Sequence, residues 1–283
     1  MLAEELRADV VDLSADGRAY PESKLVLELF LARHAAETLL FEVDTWGITT
    51  GGYSYPFHEY EFLPYIRDDM ISRSVAEVCG PWRAARWKYL PMWAYGEFNE
   101  QIGVASFSRK SLLGGSTSEV YGTGPEVFLE KVLPATGDPR FAQELGETPG
   151  EPEISAERQR ACRRILEVAR GQGVNIVMFL APAHREWKSR FPGEAGRVAW
   201  YRKLACDFKV PLLVVDDAEG FQDRRLYADA SHLNASGARI FTRCLAEFVK
   251  GMQTAKPSDA RLIGRESRGA GTDAGEFAKA LYD

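Results

Sequence analysis

Four short apolar runs punctuate the chain, and four stretches of helical period alternate with them. Residues 38–44 (Thr-Leu-Leu-Phe-Glu-Val-Asp), 175–181 (Asn-Ile-Val-Met-Phe-Leu-Ala) and 210–215 (Val-Pro-Leu-Leu-Val-Val) have the length and composition of buried strands. Residues 8–14 (Ala-Asp-Val-Val-Asp-Leu-Ser) read as a further short strand. Pro21 suits a helix start, and Leu25, Val26, Leu29 and Phe30 give that helix one apolar face. A second helix follows the N-cap Ser155, carries Cys162, Ile165, Leu166 and Ala169, and ends near Gly171 and Gly173. A third covers 194–208, with Arg197, Tyr201, Leu204 and Phe208 in register. In the last, Ile240, Phe241, Cys244, Leu245, Phe248 and Val249 share a face. Strand, helix and strand within 8–44 make a βαβ unit, so the pattern predicts an α/β fold with a parallel sheet.

Residues 46–150 break this rhythm. They hold Trp46, Trp82, Trp87 and Trp93, and glycine-rich turns at 113–116 and 121–124. The expectation is one domain over 1–256, with an insertion of helices and loops at about 46–153 that covers the sheet edge. Residues 134–153 read as a linker rich in Pro and Gly. Residues 257–283 read as a polar tail, in which 276–282 can form a short helix.

Composition narrows the function. A chain of 283 residues, 45% hydrophobic, suits one α/β domain with an insertion. Its net charge of −6 argues against nucleic acid as a partner. No apolar run approaches the ~20 residues that span a bilayer, and the charged N-terminus lacks a signal-peptide core. The four cysteines form no C-x-x-C pair, and Cys162, Cys206 and Cys244 fall on helices expected in the core. A soluble chain in a reducing, cytoplasmic compartment is the expectation. The four histidines show no metal spacing, and neither a Walker loop nor a dinucleotide fingerprint is present, so no metal or cofactor is expected.

The candidate chemistry lies in Tyr227-Ala-Asp-Ala-Ser-His-Leu-Asn-Ala-Ser-Gly-Ala. A bare D-x-x-H is a weak signal, but here a buried strand precedes it and a capped apolar helix follows. Asn234 or Ser236 can supply that cap. Such a loop lies at the carboxyl edge of the sheet, where open α/β folds build their sites. A carboxylate three residues before an imidazole on a tight turn can accept its Nδ1–H, leaving Nε2 to take a proton from a nucleophile. A place just ahead of a helix N-terminus also disfavours imidazolium. The plainer reading is a solvated loop histidine with Asp229 as a turn residue.

Asp-Ala-Ser-His-Leu-Asn, followed by Gly-Ala and an apolar helix, resembles the last conserved block of the SGNH (GDSL-like) hydrolases. It is most similar to the branch of bacterial polysaccharide O-acetyltransferases and esterases. The resemblance covers about 1–45 and 154–250. It implies a flavodoxin-like three-layer α/β/α sandwich and acyl-ester chemistry on a small-molecule or carbohydrate-linked ester, with Asp229 as the acid and His232 as the base of a triad. Residues 3–8 then resemble the end of the family's first helix. Residues 10–14 with Gly17 resemble its second strand and oxyanion glycine, and 38–44 its third strand. By this alignment the nucleophilic serine would lie before Met1. Two explanations stand: a start placed too late or a fragment, which the intact Asp229 and His232 context favours, or a lineage that lost the nucleophile. In a longer chain, an anchor or export signal could also lie upstream.

Other residues extend the expected site. Ser14 is a rival nucleophile, though a turn hydroxyl is the simpler role. Gly17 is the expected oxyanion contributor through its backbone N–H. Asp44, Thr45 and Trp46 end a strand at the active edge and are expected to line the pocket, although the family's usual Asn is not among them. His184 and Arg185 follow another strand at that edge and can meet substrate. His34 closes a helix, and His58 lies in an aromatic loop able to stack on a sugar. The competing readings are a non-catalytic protein of this fold that binds glycan or assists surface-polysaccharide assembly, and an unrelated α/β protein with an accidental D-x-x-H. The oligomeric state is not legible in the sequence.

Overall fold

A computed structural model describes residues 1–14, 18–50, 58–98, 131–134, 152–189, 193–215 and 219–254. In chain order its elements begin with α1 (Leu2–Leu6), α2 (Tyr20–Leu31), β1 (Thr38–Glu42) and β2 (Thr49–Thr50). After two single-turn 3₁₀ segments come α3 (Asp69–Cys79), α4 (Pro81–Tyr89), α5 (Pro91–Glu97) and β3 (Glu153–Ile154). The C-terminal half holds α6 (Ala156–Gly171), β4 (Asn175–Leu180), α7 (Arg185–Ser189), α8 (Glu194–Phe208), β5 (Leu212–Val214) and α9 (Ala235–Thr254).

The main sheet has the order β1-β4-β5 and is parallel throughout, with Thr38 opposite Asn175 and Met178 opposite Leu212. Side chains alternate along β4, and that alternation builds the layers. Ile176, Met178 and Leu180 enter one core with Leu27 of α2, Cys162 and Leu166 of α6, and Leu204 and Phe208 of α8. Val177 turns the other way, to Leu245 and Val249 of α9, with Leu6 of α1 and Leu213 of β5 packed beside them. Helices therefore cover both faces, and the architecture is a three-layer α/β/α sandwich. Each fully buried leucine here contributes about 2 kcal/mol.

The helix ends follow local chemistry. The Ser155 hydroxyl accepts the Arg158 N–H at 3.3 Å and starts α6. Gly173 turns the chain out of α6 at φ 74°, and Lys209 closes α8 at φ 50°. Glu22 reaches back to the Ala19 N–H at 3.0 Å and tightens the start of α2.

Three expectations change. Residues 9–14 form no strand, and Val10 and Val11 are exposed. Two adjacent valines favour extended backbone, but a strand also needs a hydrogen-bonded neighbour, and among the described residues no strand pairs with them. Cys206 is exposed, because α8 turns it away from the face that carries Leu204, Ala205 and Phe208. The insertion's described residues divide: 58–98 pack on the outer side of α2, where Leu25 joins Ile71, Val75, Trp87 and Phe98 in a separate core, while Leu133 lies in a core with Val215 and Tyr227 beside the end of β5. The insertion's two ends meet, since β2 and β3 pair antiparallel with Thr49 opposite Ile154 and Thr50 opposite Glu153. Most of the expected linker, all of the tail 257–283 and Gly17 lie outside the described residues. Among the described residues, no helix is long and apolar enough to cross a membrane.

Candidate functional site

Residues 226–234 form a closed loop between β5 and α9. Its ends are tied by a Tyr227–Leu233 bridge and by the Asn234 N–H donating to the Leu226 carbonyl at 2.9 Å. Asn234 is buried and fully used. Its Oδ1 accepts the Ser236 and Gly237 N–H groups and caps α9, while its Nδ2 donates to the Arg225 and Lys131 carbonyls. Of the two cap candidates, Asn234 does the capping. One side chain thus fixes both the helix start and the loop that precedes it. The Tyr227 hydroxyl adds a bond to the Phe221 carbonyl at 2.8 Å.

Within this loop Asp229 meets His232 in the expected geometry. The His232 Nδ1 lies 2.9 and 3.0 Å from the two carboxylate oxygens. The Asp229 side chain is 17% exposed and that of His232 is 63% exposed, so the acid sits in the wall and the imidazole stands out from it. Asp229 Oδ1 also accepts the Ser231 and His232 N–H groups, each at 2.8 Å, and the Ser231 hydroxyl at 3.0 Å. Burial pushes the carboxyl up, but the hydrogen bonds and charge of His232 and the Ser231 N–H outweigh it and hold it at about 2. Asp229 is therefore ionised at neutral pH and favours the tautomer with hydrogen on Nδ1.

The dyad lies beside the carboxyl ends of β1 and β4. The His184 N–H donates to the Ala230 carbonyl at 3.1 Å, and the His184 ring meets Tyr227 edge-on at 5.4 Å. His184 is buried, and burial lowers its pKa, with Arg185 and Lys188 adding to that and Glu186 opposing it. It stays neutral and buttresses the dyad loop. Arg185 opens the short helix α7.

The loop after β1 is turned inward. Thr45 and Trp46 are buried, and Trp46 lies under the Arg197 guanidinium at 5.0 Å. Asp44 Oδ1 accepts the Trp46 N–H at 3.1 Å, and the Asp44 N–H donates to the Tyr20 hydroxyl at 3.1 Å. The Tyr201 hydroxyl donates to the Asp44 carbonyl at 2.6 Å, and the two tyrosine hydroxyls lie 2.6 Å apart. Burial raises both tyrosines well above their ordinary value, so both stay protonated and serve as ties. Asp44, Thr45 and Trp46 thus shape the edge from beneath. The Ser14 N–H donates to Asp12 Oδ1 at 2.8 Å, which makes a local turn.

Two neighbours of the dyad escaped the sequence reading. Ser231 shares the Asp229 carboxylate and lies 3.1 Å from His232 Nδ1. It is on the nitrogen turned to the acid, so it shapes the turn and is poorly placed to lose a proton to Nε2. Its signal was the D-x-S turn itself. Glu42, the last residue of β1, feels the charges of Asp44, His232 and Asp12. Burial first, then repulsion from Asp44, pushes its carboxyl from an ordinary 4.5 up to about 7, with His232 opposing. A raised carboxyl favours the folded state fully below pH 4.5, and that contribution is lost as pH rises through about 7. Glu42 is nonetheless exposed to solvent at the strand edge, which reduces the effect. Glu42→Gln is expected to melt higher than the parent at pH 8 by a margin that shrinks at pH 5. Thermal melts at the two pH values check this, and a margin independent of pH rules it out.

A groove of about 420 Å³ between α2, α3 and α6 shares no residue with the dyad loop. Lys24 enters it and pairs with Glu28 and Glu77. Among the described residues, no three His, Cys, Asp or Glu side chains converge to hold a metal ion. His34 stacks on Phe30, and His58 lies 3.5 Å from the buried Glu22 carboxylate. No family model matches this chain, and no curated protein matches it.

Proposed function

We propose that this chain carries the acid–base pair of an SGNH-type acyl-transfer site, acting on a carbohydrate-linked acyl ester by hydrolysis or by transfer to an acceptor hydroxyl. The observation that carries the reading is the Asp229–His232 contact at 2.9–3.0 Å, on a capped loop beside the carboxyl ends of a parallel sheet. His232 Nε2 takes the proton of a serine hydroxyl as that oxygen bonds to the ester carbonyl carbon. It returns the proton to the departing sugar oxygen as the carbon–oxygen bond breaks. Water or an acceptor hydroxyl then repeats the sequence on the acyl-serine. Asp229 holds Nδ1–H throughout and stabilises the transient imidazolium. The reading requires a serine from a Gly-x-Ser turn ahead of α1.

The test is expression from the in-frame DNA upstream of the Met1 codon. An extended chain with a strand and Gly-x-Ser is expected to hydrolyse 4-nitrophenyl acetate, and His232→Ala to lower its kcat by at least about 10²-fold. Equal rates with and without His232 sink the reading. So does a native protein whose intact mass begins at Met1 and which turns over no ester.

A further inference from the structure

Lys131 stands 103 positions before Asn234, yet the short segment 131–134 is bonded to the dyad loop and its approach at three backbone groups. The Lys131 carbonyl accepts from Asn234 Nδ2 at 3.1 Å. The Leu133 N–H donates to the Tyr227 carbonyl at 2.8 Å, and the Leu133 carbonyl accepts from Arg224 Nη1 at 2.8 Å. Between these bonds the Leu133 side chain is fully buried, in the core of Val215, Phe221, Tyr227 and Phe241, while Val132 is exposed.

The bond from Leu133 ends on a peptide group that leads directly to His232. The Tyr227 carbonyl and the Ala228 N–H belong to one planar unit and point in opposite directions. Leu133 holds the carbonyl, and the Ala228 N–H donates to the His232 carbonyl at 2.9 Å. Turning this unit would break both bonds at once, and Tyr227 and Ala228 are too deeply buried for water to replace them. We propose that Leu133 is a positioning residue for His232: through the 227–228 peptide it fixes where the imidazole stands at the sheet edge, and Arg224 holds Leu133 in place. The inference rests on the reading of Asp229 and His232 as an acid–base pair.

Two tasks are thereby divided. The Asp229–His232 contact spans three residues, so it sets the tautomer of the ring locally. It does not set the place of the whole turn relative to the ends of β1 and β4. That place is fixed by Leu133 on one side and by the His184 N–H on the Ala230 carbonyl on the other. The distinction bears on rate, since a reacting group misplaced by about 1 Å can cost 10²-fold.

Hydrogen exchange of the full chain tests the proposal. In Leu133→Ala and in Arg224→Ala, the Ala228 amide is expected to exchange about tenfold faster or more relative to the amides of β4, while the His232 tautomer stays that of the parent. Arg224 is exposed, so its truncation leaves the core intact, and Arg224→Lys, which keeps a donor, is expected to recover protection in part. Phe241→Leu removes volume from the same core without removing a bond of the segment, and its Ala228 amide is expected to match the parent on the same scale. Unchanged protection in both truncations overturns the proposal. So does an equal rise in Phe241→Leu, which would make Leu133 a core residue and nothing more. In a chain that hydrolyses 4-nitrophenyl acetate, Leu133→Ala is expected to lower kcat about tenfold or more with KM little changed, and an unchanged kcat overturns the positioning role. A failure of every chain to hydrolyse the ester sinks the acyl-transfer reading instead, and the exchange result then decides the coupling by itself.

Discussion

Asp229→Asn is expected to leave the protein folded and to reverse the tautomer of His232. The asparagine carbonyl can replace Oδ1 and still accept the Ser231 and His232 N–H groups. Its amide nitrogen then takes the place of Oδ2, which now faces His232 Nδ1 at 2.9 Å. Two N–H donors cannot face each other, so Nδ1 gives up its hydrogen and Nε2 carries it. The base is then protonated on the nitrogen that should accept, and a catalytically competent chain loses about 10⁴-fold in kcat. Nitrogen-15 spectra of the imidazole read the tautomer directly, whether or not a nucleophile is present. The same tautomer in parent and variant would show that Asp229 does not orient the ring. Asp229→Ala differs: it strands the donors around Oδ1 and is expected to cost about 1–3 kcal/mol. Because the parent carboxyl is held at about 2 against an ordinary 3.8, its contribution is complete above pH 3.8 and is lost as pH falls through about 2.

Gly237→Ala is expected to be among the most damaging single-methyl additions in the chain. A Cβ there would overlap the Leu226 carbonyl oxygen and approach Leu233 Cδ2 to 2.9 Å. The Leu226 carbonyl also receives the Asn234 N–H, so the added methyl pries α9 away from the loop that holds the dyad. Overpacking against backbone costs roughly 3 kcal/mol, and the melting temperature should fall by roughly 6–12 °C. Gly251 in the same helix provides the comparison, because a Cβ there meets nothing within 4 Å. Gly251→Ala should raise stability by about 0.5–1 kcal/mol through helix propensity alone. Equal melts for the two variants would show that the close approach at Gly237 does not bear on stability.

Much of the frame could be read because its signals are local. The apolar period of 194–208 marks the bounds of α8, Ser155 caps α6, and Asn234 caps α9. The Asp229–His232 contact was legible because three residues on one turn decide it. What resisted reading depends on partners distant in sequence. Val10 and Val11 favour extended backbone, but whether a strand forms is decided by what lies alongside. The Tyr20 and Tyr201 hydroxyls that tie down Asp44 are 181 residues apart. Trp46 looked like a pocket wall from its place after β1, and only α8 shows it covered by Arg197. The reason for Gly237 likewise lies in the Leu226 carbonyl across the loop.

The pairing of Thr49 and Thr50 with Ile154 and Glu153 has a consequence for how this fold can change. The two chain crossings between sheet and insertion are already joined, so the closure entropy of whatever lies between them no longer falls on β1 or α6. Each doubling of the length held at that neck adds only about 0.6 kcal/mol. Residues can be gained or lost there without moving the dyad as long as 131–134 keep their seat, where the Lys131 carbonyl accepts from Asn234 Nδ2 and the Leu133 N–H donates to the Tyr227 carbonyl. What such changes must preserve is a cover for Leu25 on the outer side of α2 and the seat of Leu133 beside Tyr227, which makes those contacts, rather than length, the quantity under constraint.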